Sequence, residues 1–440
     1  MSDGTMAPVK ALPARSEALR QEANIEAMAR LESARPMLRD VGPAAEMVPG
    51  FDGALILTSG APLHWSEYTG GQWRAIVLAA QYEGLARSEG ELVAHLASGE
   101  VRVRSTQEFN CIGSVAGVYT ASMPVLVVEN ADHGNIAYCN LYEGKSRARL
   151  NYGSFSDEVR ASLQWLERTM GPVLREALRL NGPIELTPLM ARAIRMGDEL
   201  HSRNTAGTLL LGQALTKPFL EMSKRARWEQ GVAETFDFLH ANDYSFLRIS
   251  MAAAKSIADA MHAIPHSSIV TAMALNCRGF AIRVSGLDDQ WALGAFPTLE
   301  GQFFEGYTAA DAEWIGGESC VTETVGLGGF AQACAPTLMA YQGGTYKTMC
   351  ENNLQMYAIT AGEHPHFRLP PFDFRGSPAA IDIFKVVESG ITPVIDGGLA
   401  GKDGGQIGAG LLRTQPEVFT IAMEKYLERY ASRQKADHDV

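Results

Sequence analysis

The sequence predicts a mixed α/β (α+β) fold in three parts: an N-terminal α/β domain, a helical middle domain and a glycine-rich C-terminal α/β domain. Three observations predict it. Short apolar runs alternate with helical periodicity over residues 46–155. Helical periodicity then dominates residues 156–262. After Pro265, β-prone runs and helices alternate again, now punctuated by clusters of glycine through residues 263–440.

In chain order, residues 1–45 are rich in Ala, Arg and Glu and amphipathic around 17–31, which reads as an N-terminal helical arm. Ala54-Leu55-Ile56-Leu57 is a short buried strand. Helices are expected over 73–83 and 90–96, and the alternation Val101-Arg102-Val103-Arg104 marks a half-exposed strand. Pro124-Val125-Leu126-Val127-Val128-Glu129-Asn130 is the strongest buried strand, with 136–141 as its hairpin partner across Asp132-His133-Gly134. A helical pattern over 157–179 is interrupted at Gly171-Pro172, and Asn181-Gly182-Pro183 stops it. Thr187-Pro188 reads as an N-cap followed by proline at the first helical position. Further helices are expected over 207–222, 225–239 and 246–261. Strands follow near 270–275, 279–284 and 321–325, with helices near 331–340 and 379–389. The run 396–410 holds seven glycines in fifteen positions, too many for a regular helix or strand. A last helix spans 416–430.

Composition narrows the function. Hydrophobic content of 46% and charged content of 20% are those of a globular domain, and 440 residues suffice for two or three cores. A net charge of −12 argues against a nucleic-acid partner, although local arginines still allow an anionic substrate. Cys111, Cys139, Cys277, Cys320, Cys334 and Cys350 are scattered with no C-x-x-C pair, which fits reduced thiols in a cytoplasmic protein. No apolar run has the length of a membrane span, so no membrane partner is expected.

Four groups of residues are candidates for chemistry. The first is Gly197-Asp198-Glu199-Leu200-His201-Ser202-Arg203-Asn204, with His201 as a base, Arg203 as a carboxylate clamp and Asn204 as an amide reader. The bland alternative is that His201 and Arg203 complement a helix dipole. The second comprises Ser267, Ser268 and Thr271, followed by Arg278, Arg283 and Ser285, where a guanidinium offers parallel donors to an oxyanion. The third is the loop Gly316 to Pro336: Thr322, Glu323 and Thr324 precede Gly326, Gly328 and Gly329, read as strand, tight turn and helix start. Glu323 is the candidate base, and the glycine amides are candidate anion donors. The fourth is the glycine-rich run with Lys402 and Gln406.

Gly326-Leu327-Gly328-Gly329-Phe330-Ala331 formally matches a dinucleotide fingerprint, but the turn Tyr341-Gln342-Gly343-Gly344 follows where a second strand ending in an acidic residue belongs. The histidine pairs His262/His266 and His364/His366 lack further ligands, so no metal and no cofactor are expected.

These blocks, with 267–274, 322–331 and 405–410, together resemble the YlbE-like family, a domain of unknown function, one branch of which is the AllG-type subunit of oxamate carbamoyltransferase. The resemblance extends from about residue 24 to 419 and departs from the family's pattern at Phe109-Asn110-Cys111-Ile112-Gly113-Ser114. It implies a part in ureide or purine nitrogen breakdown, transferring a carbamoyl group between oxalurate and phosphate to give oxamate and carbamoyl phosphate. It also implies a small anionic substrate (carbamoyl phosphate, oxamate or oxalurate), an FdrA-like partner subunit and a homo-oligomer. The competing expectations are a stand-alone amidohydrolase acting on a ureido acid and a non-catalytic scaffold subunit.

Overall fold

The computed structural model describes residues 12–431 and bears out the mixed α+β class. Its first sheet has five strands in the order Cys111–Ile112, Ile136–Asn140, Pro124–Asn130, Pro36–Pro43, Ile184–Glu185. The apolar run 124–130 is a strand as expected, hairpinned to Ile136–Asn140 with Leu126 opposite Cys139. Its other neighbour, Pro36–Pro43, is a strand that the sequence reading did not assign, and it follows the N-terminal helix Ala14–Ser33 directly.

The helix Leu247–Ala260 lies against the two central strands, and every residue from Leu247 to Ala258 is buried. Such burial is possible because much of it is alanine and serine, which let neighbouring backbones approach from all sides. A single large core includes Leu31, Val128, Ile257, Phe219, Val321 and Leu327, so the arm, the first sheet, the helices and the glycine loop share one apolar interior. A second core joins Phe280, Ile282, Phe330, Ile395 and Phe419. There the meander Val270–Asn276, Gly279–Val284 and Trp291–Gly294 packs with the helix Pro416–Tyr430.

Several expectations need correction. Residues 321–325 do not form a strand: Val321–Thr324 is one helical turn. Thr322 and Thr324 return their hydroxyls to the carbonyls of Ser319 (2.8 Å) and Val321 (2.6 Å), which satisfies both inside a turn. The stretch 331–340 is not a regular helix but a chain of 3₁₀ turns, Gln332–Cys334 and Pro336–Leu338, before the short helix Met339–Gln342. Residues 379–389 divide into the end of strand Arg375–Ile381 and the helix Ile383–Ser389. The glycine-rich run is a regular hairpin, Val394–Gly401 with Gln406–Arg413. Its glycines serve close strand packing: a Cβ on Gly410 would lie 2.6 Å from the carbonyl of Glu300 on the adjoining strand. Gly171-Pro172 does not break the helix; a π-turn over Leu166–Met170 carries Asp157–Trp165 into Gly171–Asn181. Thr187-Pro188 lies inside the helix Leu186–Arg195, whose cap is Glu185.

Candidate functional site

The helix Leu186–Arg195 ends where Gly197 takes φ of 102°, and the chain then folds back over itself. Leu200 sits at φ 67°, a costly conformation for a residue with a Cβ. The buried Glu199 carboxylate holds it there by accepting from the amides of His201, Ser202 and Arg203. Asn204 donates its side-chain amide to the carbonyl of His201 at 2.8 Å, and Ser250 of the buried helix donates to the carbonyl of Leu200 at 2.8 Å. Every backbone constraint in this loop fixes the position of one imidazole.

That imidazole meets the glycine loop. His201 Nδ1 lies 2.8 Å from Glu323 Oε1, and both residues are buried. Glu323 Oε1 also accepts from the amides of Gly329 (3.0 Å) and Asp396 (3.1 Å), and Oε2 accepts from Thr322 Oγ1 at 2.9 Å. Gly328 donates its amide to the carbonyl of Glu199 at 2.8 Å. The glycines are needed for this approach: a Cβ on Gly328, at φ 58°, would stand 2.1 Å from Glu323 Oε1, and one on Gly329 would stand 2.4 Å from the carbonyl of Val394. The Gly328 and Gly329 amides are therefore engaged within the protein.

Asp396 completes the cluster from the start of the glycine hairpin. Its Oδ1 accepts from Gln332 at 2.8 Å, whereas Oδ2 is buried with no well-formed hydrogen bond among the described residues. Burial, reinforced by Glu323, pushes its pKa up to about 7. Burial and the neighbouring Asp396 likewise push Glu199 well above the usual carboxyl range. Burial disfavours the His201 cation, but Glu323 and Asp396 outweigh it and raise the imidazole above its ordinary value. Glu199, Asp396 and His201 thus have shifted pKa values in one dry setting, the environment that tunes groups for acid–base chemistry. A cavity of about 340 Å³, walled by Trp314, Ile315, Gly316, Leu399 and Cys320, reaches the cluster at Asp396.

The other sequence candidates are dispersed. Arg203 pairs with the buried Asp198, which burial still raises to about 6 against that ion pair, and with the carbonyl of Gly197 at 2.8 Å. Thr324 and Gly326 adjoin the cluster through backbone contacts, the carbonyl of Gly326 accepting from Ser377. Ser267 and Ser268 hold the N-terminal helix through Asn24 (3.0 and 2.9 Å), and Ser268 also reaches Asp382. Thr271 hydrogen-bonds His262, and Ser285 donates to the carbonyl of Met261. Arg283 is spent on Asp259 at 2.6 Å, while Arg278 and Lys402 are exposed. Gln406 accepts from Arg149 at 3.0 Å and donates to the hydroxyl of Tyr341 at 2.6 Å.

Sequence reasoning missed Asp198, Glu199, Asp396 and Gln332 as members of the site. The first two stood inside the polar run around His201, and Asp396 heads the glycine-rich run, so their setting was visible although their roles were not. Arg149 and Arg248 were also missed. Arg248 and Lys255 are cations in a helix made mostly of small and apolar residues, a signal that was available. Among the described residues no group of three or more His, Cys, Asp or Glu side chains is placed to hold a metal ion. Among the same residues no helix is long and apolar enough to cross a membrane.

Comparison with known proteins gives consistent matches. The family described as "AllG: Oxamate carbamoyltransferase subunit AllG" matches residues 101–319. Oxamate carbamoyltransferase subunit AllG of Escherichia coli (strain K12) is 38% identical over 412 residues, covering 92% of this chain and 97% of that protein. The uncharacterized protein YahG of the same organism is 39% identical over 410 residues, covering 93% of this chain and 86% of that protein. A crystal structure of a conserved protein of unknown function from Enterococcus faecalis V583 superposes with a TM-score of 0.90 at 35% identity, over 94% of this chain and 99% of that one.

Proposed function

The chain belongs to the AllG family, and from that premise we propose that it takes part in carbamoyl transfer between oxalurate and phosphate as a subunit of a multi-subunit carbamoyltransferase, with an FdrA-like subunit as its partner. The observation that supports the chemistry is the buried His201–Glu323 pair with Asp396 beside it. Oxalurate and hydrogen phosphate would react as an oxygen of phosphate bonds to the ureido carbonyl carbon and the C–N bond to the oxamate portion breaks. The proton carried by hydrogen phosphate must finish on the oxamate nitrogen, giving oxamate and carbamoyl phosphate with charge conserved. His201 suits that transfer. Its Nδ1 is held by Glu323, so Nε2 is the ring atom left to meet a reactant, and its raised pKa keeps a proton ready for the departing nitrogen. Glu323 orients the ring and stabilises its cation.

The test is reconstituted complex with oxalurate and phosphate, comparing the native chain with His201→Gln and Glu323→Gln. Loss of a positioned acid–base group is expected to slow turnover by about 10²–10⁴-fold. The Glu323→Gln variant should also move the pH profile, because a neutral amide no longer raises His201. Turnover within a few-fold of native in both variants, with the fold intact, would sink the reading. Product release that continues without phosphate would instead indicate water as the acceptor.

A further inference from the structure

Four cationic side chains are buried among the described residues: Arg149, Arg248, Lys255 and Arg283. Lys255 and Arg283 share the carboxylate of Asp259 at 2.8 and 2.6 Å. The other two differ. Arg149 donates to the hydroxyl of Tyr142 (3.2 Å), the carbonyl of Gly144 (3.3 Å) and Gln406 Oε1 (3.0 Å), all neutral acceptors. Arg248 donates to Asn140 Oδ1 at 3.1 Å and faces the amide of Asn151. The Nε of each guanidinium is buried with no acceptor among the described residues, as is that of Arg283. The carboxylate in their neighbourhood, Glu143, is taken up by the amides of Leu150 (2.7 Å) and Asn151 (3.1 Å) and by the Asn151 side chain.

Two buried guanidiniums that share the single carboxyl of Glu143 are costly to keep, because both have lost their water and together they outnumber the counter-charge. The surroundings hold them in place all the same. Arg149 lies over the rings of Tyr152 and Tyr142, at 4.5 and 5.5 Å. Arg248 is fixed on the fully buried helix that also carries Ser250, which braces the loop of His201. Arg149 bonds Gln406 and Gln406 bonds Tyr341, whose sequence neighbour Gln342 accepts from the Gln332 that holds Asp396, so a chain of contacts connects Arg149 with the carboxylate cluster. On the outer side Gln406 is half-buried and Tyr341 is 37% exposed.

We propose that Arg149 and Arg248 form a binding site for a small phosphoryl oxyanion, the free Nε of each guanidinium supplying a donor and the pair supplying the counter-charge. Identifying that oxyanion with the phosphate of carbamoyl transfer rests on the function proposed above; the binding itself does not. Forked guanidiniums suit tetrahedral and planar oxyanions, because two parallel N–H groups meet two oxygens.

The experiment is a thermal-shift and calorimetric titration of the full chain with inorganic phosphate, with oxamate as a second arm, for the native protein, Arg149→Gln and Arg248→Gln. Phosphate is expected to stabilise the native chain, and each variant to bind it at least tenfold more weakly. The ligand-free variants should melt no lower than the native chain, since each change removes the excess of buried positive charge over Glu143. Lys347→Gln, an exposed cation, controls for general screening and should titrate as the native chain does. If a glutamine variant fails to fold, Arg→Lys at the same position keeps the charge without the fork and should bind with intermediate affinity. The proposal is overturned if phosphate leaves the native chain unaffected, if only oxamate stabilises it, or if the variants respond to phosphate as the native chain does. Phosphate binding that depends on both arginines, in a complex that transfers no carbamoyl group, would keep this site and defeat the function reading alone.

Discussion

Asp396→Asn should stabilise the protein at alkaline pH while leaving it nearly unchanged in acid. The folded chain holds the Asp396 pKa at about 7, against an ordinary value of 3.8. Because the folded-state value is the higher one, the folded chain carries an extra proton between about pH 4 and 7, and stability falls as pH climbs through that window. A difference of about 3 pKa units is worth about 4 kcal/mol at 1.36 kcal/mol per unit. His201 and Glu199 interact with Asp396, so about 2–4 kcal/mol is the range to expect for Asp396 alone. Asparagine keeps the size of the side chain and an oxygen for the Gln332 donor, and never ionises.

With unfolding entropy of about 2.1 cal/mol/K per residue, a 440-residue chain changes its midpoint by about 1 °C per kcal/mol. The variant should therefore melt about 2–4 °C above the native chain at pH 8 and within about 1 °C of it at pH 4.5. Differential scanning calorimetry at matched scan rates reads this directly. A variant that melts lower than native by the same margin at both pH values would refute the reasoning, since it would mean that Asp396 is ionised and paired in the folded state throughout.

Two further outcomes follow from the same contacts. Gly328→Ala puts a Cβ where Glu323 Oε1 now lies and forces φ 58° on alanine, so it should push the carboxylate off His201, cost about 1–3 kcal/mol in stability and reduce turnover as far as Glu323→Gln does; the crystal structure of the variant and its melting curve check this. Asp259→Asn leaves Lys255 and Arg283 buried without a counter-ion and should destabilise by about 3–5 kcal/mol, visible as a lower melting midpoint at neutral pH.

The parts of the fold legible in the sequence are those whose local pattern agrees with their final setting. Strand Pro124–Asn130 reads as a continuous apolar run because its neighbours cover it, and the helix Pro416–Tyr430 opens with proline where a free amide would otherwise be left over. Strand Gly279–Val284 was legible for the same reason. The failures come where tertiary contacts override local preference. Val321-Thr322-Glu323-Thr324-Val325 is β-prone in composition, yet Val321 and Val325 enter the main core only as a turn, with both threonines bonded back along it. The hairpin over 394–413 was rejected for its glycines, although the absence of Cβ atoms is what lets three strands sit close together. His201 and Glu323, picked from separate blocks of sequence, do meet in space, because each block carries polar groups dense enough to be seen without knowing the fold.

What the sequence cannot supply is whether a buried polar group is satisfied, and that distinction separates support from chemistry here. Glu318 and Glu323 lie five residues apart in one glycine-bracketed stretch, and both are fully buried. Glu318 accepts from the amides of Gly60 (2.9 Å) and Gly113 (2.7 Å), the hydroxyl of Thr106 (2.7 Å) and the amide of Gln107 (2.9 Å), so its charge is answered within the protein and it ties the loops around it together. Glu323 is answered too, but one of its partners is an imidazole that can exchange a proton, and the neighbouring Asp396 keeps an oxygen with no well-formed hydrogen bond among the described residues. Arg149 and Arg248 repeat the contrast among the cations, since Lys255 and Arg283 form ion pairs with Asp259 while they hydrogen-bond neutral acceptors and share the charge of Glu143. Buried groups left short of partners cost stability, and the proposed anion would offset that cost at Arg149 and Arg248.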